Sequence, residues 1–330
     1  MKKSLVALAV LGAFAGVASA QSSVTIYGIA DVWVGSQKDT GGVVVPQVSS
    51  TNVLESGGLS ASRLGFKGTE DLGGGLAAVF GLEAGLTIDN GTAGGLSFNR
   101  QSYVGFAGGF GEVTFGKMWT SYDDIEAGAH SLFGGLDFAP EYAVMLSGRD
   151  YIGNPNNGFK YTSPDFGGIS GSVSYALDET VNGDAEVTAF HVKYTGGPIY
   201  AGIAYQDEGT TGGLPNPEYI RANASYDFGI AQLLATYGNK KVGAAKTNEY
   251  ALGVNVPVGP AVVVSAGYAT SKDNAAAGSN KRDGFGIGAT YALSKRTSLY
   301  GAFTSADWKD GAGVKTNDIS IWGVGVRHTF

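Results

Sequence analysis

The sequence predicts an all-β fold, a 16-stranded antiparallel transmembrane β-barrel, and three observations carry that expectation. Segments of roughly ten residues alternate apolar side chains with small or polar ones, so each strand has one greasy face and one wet face. The connections between them alternate between very short and long, the pattern of a barrel with turns at one rim and loops at the other. No stretch after residue 20 holds eighteen consecutive apolar residues, so a chain embedded in a membrane has to close its sheet and leave no unpaired edge in lipid. The composition fits: Gly 54, Tyr 17 and Phe 16 among 330 residues suit a large sheet with many turns. The absence of Cys excludes disulfides, Cys-based zinc sites and thiol nucleophiles.

Residues 1–20 read as a secretory signal peptide. Lys2 and Lys3 precede an apolar run from Leu5 to Ala18, and the segment ends Ala18-Ser19-Ala20, the small-x-small form of a cleavage site. The run is about 14 residues, short of the roughly 20 that span a bilayer. The mature chain is then residues 21–330, a single barrel domain. Losing two lysines and no acid takes the formal charge from −7 to −9, and that acidic balance argues against nucleic acid as a partner.

The first mature strand sets Val24, Ile26, Gly28, Ala30, Val32 and Val34 against Thr25, Tyr27, Ile29, Asp31 and Trp33. Farther along, Phe190, Val192 and Tyr194 oppose His191 and Lys193. Likewise Ile220, Ala222, Ala224, Tyr226 and Phe228 oppose Arg221, Asn223, Ser225 and Asp227. Seven short connections fall at 70–75, 108–111, 164–168, 195–198, 227–229, 257–260 and 293–296. Eight long ones fall at 36–58, 88–98, 119–148, 178–185, 207–218, 239–246, 271–281 and 306–318. Fifteen connections join sixteen strands and leave both termini on the short-turn side. A β-sandwich also alternates, but it gives no reason for that strict succession of short and long.

In the last strand Trp322, Val324, Val326, His328 and Phe330 share the outward parity, while Arg327 falls on the other. An aromatic final residue on such a strand resembles the C-terminal signal read by the barrel-assembly machinery, which makes Phe330 the candidate assembly residue. Inward parity gives a lumen with Arg63, Lys67, Lys160, Lys193, Arg221 and Arg327 on the basic side. Asp31, Glu83, Asp178, Asp227 and Glu249 form the acidic side. Opposed charges across a narrow aqueous lumen set up a transverse field that admits small polar solutes. The Arg63–Lys67 cluster points to a slight anion preference.

Four blocks carry a resemblance: Ser23-Val-Thr-Ile-Tyr-Gly28, Ser62-Arg-Leu-Gly-Phe-Lys-Gly-Thr-Glu-Asp-Leu-Gly73, Asn99-Arg-Gln-Ser-Tyr-Val-Gly105 and Gly108-Gly-Phe-Gly-Glu-Val-Thr-Phe-Gly-Lys117. In this order, and with the terminal Phe330, the chain resembles the general porins of neisserial and other β-proteobacterial outer membranes. The resemblance implies an outer-membrane homotrimer for passive diffusion of ions and small hydrophilic solutes. It also implies a third loop, about 119–148, folded into the pore as a constriction. At matching positions the basic wall is Arg63, Arg100 and Lys117, joined by Lys67 through parity, and the loop acids are Asp123, Asp124 and Glu126. Lys117 shares parity with Val113 and Phe115, so a bulge or a strand end is needed to turn it inward. The expected partners are outer-membrane lipid, lipopolysaccharide and the assembly machinery.

Catalysis is not expected. No G-x-S-x-G or H-E-x-x-H occurs, and His130, His191 and His328 have no metal-ligand spacing. No cofactor is expected. Two alternatives keep the barrel: a channel selective for anions or carboxylates, and a surface adhesin working through loops 36–58 and 207–218.

Overall fold

The computed structural model describes residues 23–44, 46–91, 96–130, 136–178, 185–210 and 213–330, so the expected signal peptide at 1–20 lies outside the described residues. Seventeen strand segments follow one another. They are β1 (Ser23–Asp39), β2 (Val48–Ser56), β3 (Arg63–Gly73), β4 (Leu76–Gly85), β5 (Gln101–Gly108) and β6 (Gly111–Lys117). Next come β7 (Gly158–Thr162), β8 (Ile169–Ala176), β9 (Val187–Gly196), β10 (Ile199–Glu208), β11 (Pro217–Asp227) and β12 (Gln232–Val242). The chain ends with β13 (Ala245–Val258), β14 (Val262–Asp273), β15 (Lys281–Ala292), β16 (Thr297–Lys309) and β17 (Lys315–Thr329).

All neighbours pair antiparallel, and β1 closes the cylinder by pairing with β17 from Ile29↔Thr329 to Asp39↔Ile319. On its other side β1 meets two segments: β3 along Ser23–Ile29 and β2 along Val32–Asp39. β2 and β3 are therefore one stave interrupted at 57–62, and the barrel has 16 staves. Phe330 completes the seam. Its amide and carbonyl exchange hydrogen bonds with Gly28 at 3.2 and 3.1 Å, and its ring covers Gly28 so closely that a Cβ there would overlap it.

All seven short connections fall where turn chemistry places them, from Gly73–Leu76 to Ala292–Thr297. Several long ones are shorter than the sequence suggests. The 239–246 connection is a hairpin between Val242 and Ala245, turning at Gly243 with φ +60°. The 306–318 connection reduces to the residues between Lys309 and Lys315, and 36–58 reduces to those between Asp39 and Val48. A hydrogen-bonded ladder needs no apolar side chains, so the strands continue past the greasy belt with polar residues on both faces. One connection is longer instead: 119–148 belongs to a crossing that runs from the end of β6 at Lys117 to the start of β7 at Gly158.

The exterior is apolar and open. Val24, Leu252, Ile203, Phe285 and Trp322 each leave half or more of their surface uncovered, far more contiguous apolar area than a water-soluble protein leaves bare. Toward the long-loop side an aromatic belt runs round β7–β17. In it Phe159 meets Tyr175, Phe190 meets Tyr205, Tyr237 meets Tyr250 and Phe285 meets Phe303, with centroids 5.4–5.8 Å apart. The belt stops at Trp322. Opposite it in register stands Ser36, opposite Ser36 stands Asn52, and farther round the same face carries Ala84 and Ser102.

Candidate functional site: the lumen and the loop inside it

Inward parity sends polar and charged side chains into the barrel, but the crossing segment between β6 and β7 decides which of them meet water. This segment folds inward and lies on the inner wall of β8–β16. It holds a 3-10 turn at Asp123–Ala129, the short helix α1 (Pro140–Val144) and a second 3-10 turn at Leu146–Gly148.

The wall side chains tie its backbone down one after another. His191 Nδ1 lies 2.7 Å from Ser121 O, Asn223 donates to Ile125 O at 2.5 Å, and Thr236 donates to Ala129 O at 3.2 Å. Thr304 donates to Phe138 O, and Trp308 Nε1 donates to Ala143 O at 3.1 Å. Glu249 accepts from the amides of Leu146 and Ser147 at 2.5 and 3.0 Å, while Arg221 donates to Ser147 O at 2.7 Å. On the return leg Glu208 accepts from Ile152 N at 2.6 Å. Two apolar clusters complete the seat. Tyr122 and Ile125 pack on Ala189, Ala204 and Tyr219; Phe138, Val144 and Met145 pack with Trp33, Tyr300, Ile319 and Ile321. At about 1 kcal/mol net per hydrogen bond, in addition to the apolar contacts, the segment is a fixed inner wall.

This seat buries charges that parity alone assigns to the lumen. Arg221 is fully covered and stacks on Tyr122 with its guanidinium carbon 5.1 Å from the ring centre. Glu249 is fully covered as well. Asp31 is buried beneath 57–62, accepting from the amides of Leu59 and Ser60 at 2.9 and 2.8 Å and from Tyr300 OH at 2.6 Å. Asp178 sits exposed beyond β8, and Asp227 caps its short turn by accepting from Gly229 N at 2.7 Å.

The opposite wall, on β3, β4 and β5 with the short-turn ends of β1 and β17, is the open one. Glu83 is its centre: Arg100 Nε lies 2.6 Å from Oε1, Arg63 Nη1 lies 3.9 Å from the same oxygen, and Tyr27 OH donates to Oε2 at 3.0 Å. Arg100 also stacks on Trp119 at 5.0 Å, where the crossing segment begins. Arg327 is held by Ser60 Oγ at 2.9 Å, and exposed Lys67 lies over the Tyr27 ring at 5.4 Å. Tyr27 lies flat here because the neighbouring strand offers Gly65, where any Cβ would strike the ring; Tyr103 uses Gly81 in the same way. Two arginines thus share one buried carboxylate, while Arg327 and Lys67 on the same wall rest on Ser60 and Tyr27 rather than on an acid. Asp71 of β3 and Glu112 of the neighbouring β6 stand at the short-turn rim.

The loop acids are held on their own side. Asp124 pairs with Lys160 at 2.6 Å and lies 3.6 Å from His191; Asp123 accepts from Tyr151 OH at 2.5 Å. Among the described residues no ion pair joins either acid to Arg63 or Arg100. The backbone of Glu126 lies in the 3-10 turn, but its side chain is outside what is described. Lys193 is inward and half-buried. Lys117 departs from the group: it keeps the parity of Val113 and Phe115, and its amine donates to Asn154 O and Asn156 Oδ1 at 2.6 and 3.0 Å. It braces the end of the crossing segment.

Burial shifts several ionisable groups of that segment. The Asp123 carboxyl is pushed up to about 6 by burial, reinforced by the charge of Asp124 and opposed by the Tyr151 hydrogen bond. Asp137 is pushed up to about 7 by burial and then by Glu55 and Asp31. Burial, with Arg221 nearby, drives His130 down to about 3, so its ring is neutral. The roles of Tyr27, Trp119 and Glu208 lay outside the sequence reading. Parity reaches Tyr27 and Glu208, but no periodicity reports that Trp119 stacks on Arg100.

A family model described as Gram-negative porin matches residues 7–329. Outer membrane porin protein 32 of Delftia acidovorans is 37% identical across the whole of both chains, and a major outer membrane protein P.IB of Neisseria meningitidis is 31% identical across the whole of both. Among solved structures, one described as an anion-selective porin from Comamonas acidovorans superposes with a TM-score of 0.78 at 30% identity, covering 94% of this chain and 100% of that one.

Proposed function

The chain belongs to the Gram-negative porin family and forms an outer-membrane channel for passive diffusion; on that premise we propose that it is an anion-preferring general pore whose preference is set by Arg63, Lys67, Arg100 and Arg327. The observation that carries this reading is the charge imbalance of the open wall, where Arg63 and Arg100 meet Glu83 while Arg327 and Lys67 rest on Ser60 and Tyr27. Elsewhere in the lumen Glu249, Glu208, Asp31 and Asp124 are spent on fixing the loop or are paired, while Glu55 and Asp137 stand near each other on the far side. A field of one sign in a narrow aqueous passage raises the local concentration of the opposite ion. The anion-selective description of the Comamonas acidovorans structure agrees in sign.

The constriction in this reading lies between the open wall and the crossing segment, at Arg63, Arg100 and Trp119, with Lys67 on the approach. Asp123 and Asp124 contribute less, because one is buried and the other is neutralised by Lys160. Residues 1–20 direct export and are removed. The barrel assembles as a homotrimer through the face of β1–β5, where the aromatic belt is interrupted and smaller side chains permit close approach of a partner. Phe330 reports the finished C-terminal strand to the assembly machinery. The test is conductance in planar bilayers with one ion of the salt enlarged. Replacing chloride by a bulky anion is expected to lower conductance far more than replacing potassium by a bulky cation, and the reverse order refutes the proposal.

A further inference from the structure

We propose that the outer surface of β14–β17 carries a binding site for the phosphate groups of outer-leaflet lipid, built on a row of four lysines. The proposal rests on the outer-membrane reading above. Register places Lys272 opposite Lys281, Lys281 opposite Lys309, and Lys309 opposite Lys315, so four like charges stand side by side on adjacent strands. With strands about 4.8 Å apart, the row extends roughly 14 Å. Like charges placed directly opposite each other destabilise a sheet. Such a row needs compensating anions, which aspartates supply for Lys281 and Lys315 but not for Lys272 and Lys309.

The sequence below the row sets its depth. On β15 the outward residues run Lys281, Asp283, Phe285, so the lysines stand about 13 Å along the strand above the aromatic belt, on the long-loop side. That is the level of lipid headgroups, where each lysine near an anionic surface contributes roughly fivefold in binding. Between the two levels lies a second row in register, Asp283, Asp307 and Asp318. These acids engage Lys281 at 2.9 Å, Lys315 at 2.5 and 2.9 Å, and Lys38 of β1 at 2.6 Å. Three lysines, Lys38, Lys281 and Lys315, thus meet three aspartates. Lys272 and Lys309 are exposed, and among the described residues neither has a carboxylate within ion-pair distance.

The test is native mass spectrometry of the full detergent-solubilised barrel titrated with bis-phosphorylated lipid A. The K272Q/K309Q double variant is expected to lose tenfold or more in apparent affinity, and K309Q alone about fivefold. The lumen variant K67Q is expected to bind as the parent does. Equal affinity for all variants overturns the proposal. So does displacement of lipid A by inorganic phosphate at equal phosphate concentration, which would mark a site for free phosphate. Bilayer conductance of K272Q/K309Q is expected to match the parent, which separates failure of this site from failure of the channel reading.

Discussion

The two halves of the inner wall carry similar numbers of charged residues and use them in opposite ways. On β8–β16 the charges face a protein surface: Arg221 and Glu249 are fully covered and spend their hydrogen bonds on the backbone at 146–147. On β3–β5 and the short-turn ends of β1 and β17 they face the passage, with Arg63 and Arg100 at Glu83, Arg327 at Ser60 and Lys67 exposed. Strand parity is the same on both sides. What differs is the crossing segment, which converts one half from pore lining into a foundation. A charge therefore counts toward selectivity by its access to water.

The strongest way to break this comparison is to attack the foundation. Glu249→Ala removes the acceptor for two buried amides and leaves Arg221 short of a counter-charge, a change that costs about 3 kcal/mol. The expected result is a loosened segment with noisier open-channel current, faster proteolysis near 146–149 and a lower unfolding temperature. The open half is tested by Arg63→Gln. A unit charge about 8 Å from a permeating ion in water is worth roughly 0.5 kcal/mol, with opposite sign for anion and cation, so the anion-to-cation permeability ratio is expected to fall about fivefold. Arg221→Gln removes the same charge from the covered half, and it is expected to lower heat stability while leaving the ratio in place.

A pH titration sharpens the same contrast, because the shifted acids belong to the crossing segment. Asp137, raised to about 7, and Asp123, raised to about 6, bind protons in the folded chain at a pH where an unfolded aspartate has lost them. Stability therefore rises as pH falls from 8 toward 5 and is lost as pH climbs through 7. The loop becomes less negative over that fall, so the anion preference is expected to grow, and Asp137→Asn is expected to remove the component centred near 7. The smallest effect belongs to Trp119→Ala, which takes away the ring beneath Arg100 and about 0.5–1 kcal/mol of its restraint. The expected readout is a modest rise in current noise with the ratio nearly unchanged.

The barrel itself was legible in the sequence because its signal repeats: alternation on every strand and turn residues at one rim. The ends of the strands were not. Lys241, Lys246 and Lys309 read as loop residues, yet they lie on ladders that continue beyond the aromatic belt. In the lumen, parity separates Arg63 and Lys67 from Leu64 and Phe66. It treats Arg63 and Arg221 alike, although only one of them meets water. That distinction depends on where residues 118–157 lie, and their contacts with β9–β16 join positions up to 166 apart in sequence. Lys117 illustrates the same limit. Its parity was readable, but its partners on 154–156 were not.

The most direct test compares zero-current potentials across a bilayer under a KCl gradient for the parent channel, Arg63→Gln and Arg221→Gln. An anion-selective parent, a clear shift toward cations for Arg63→Gln and none for Arg221→Gln is the predicted set. A cation-selective parent, or equal shifts for both variants, contradicts the division of the lumen into an open wall and a buried one.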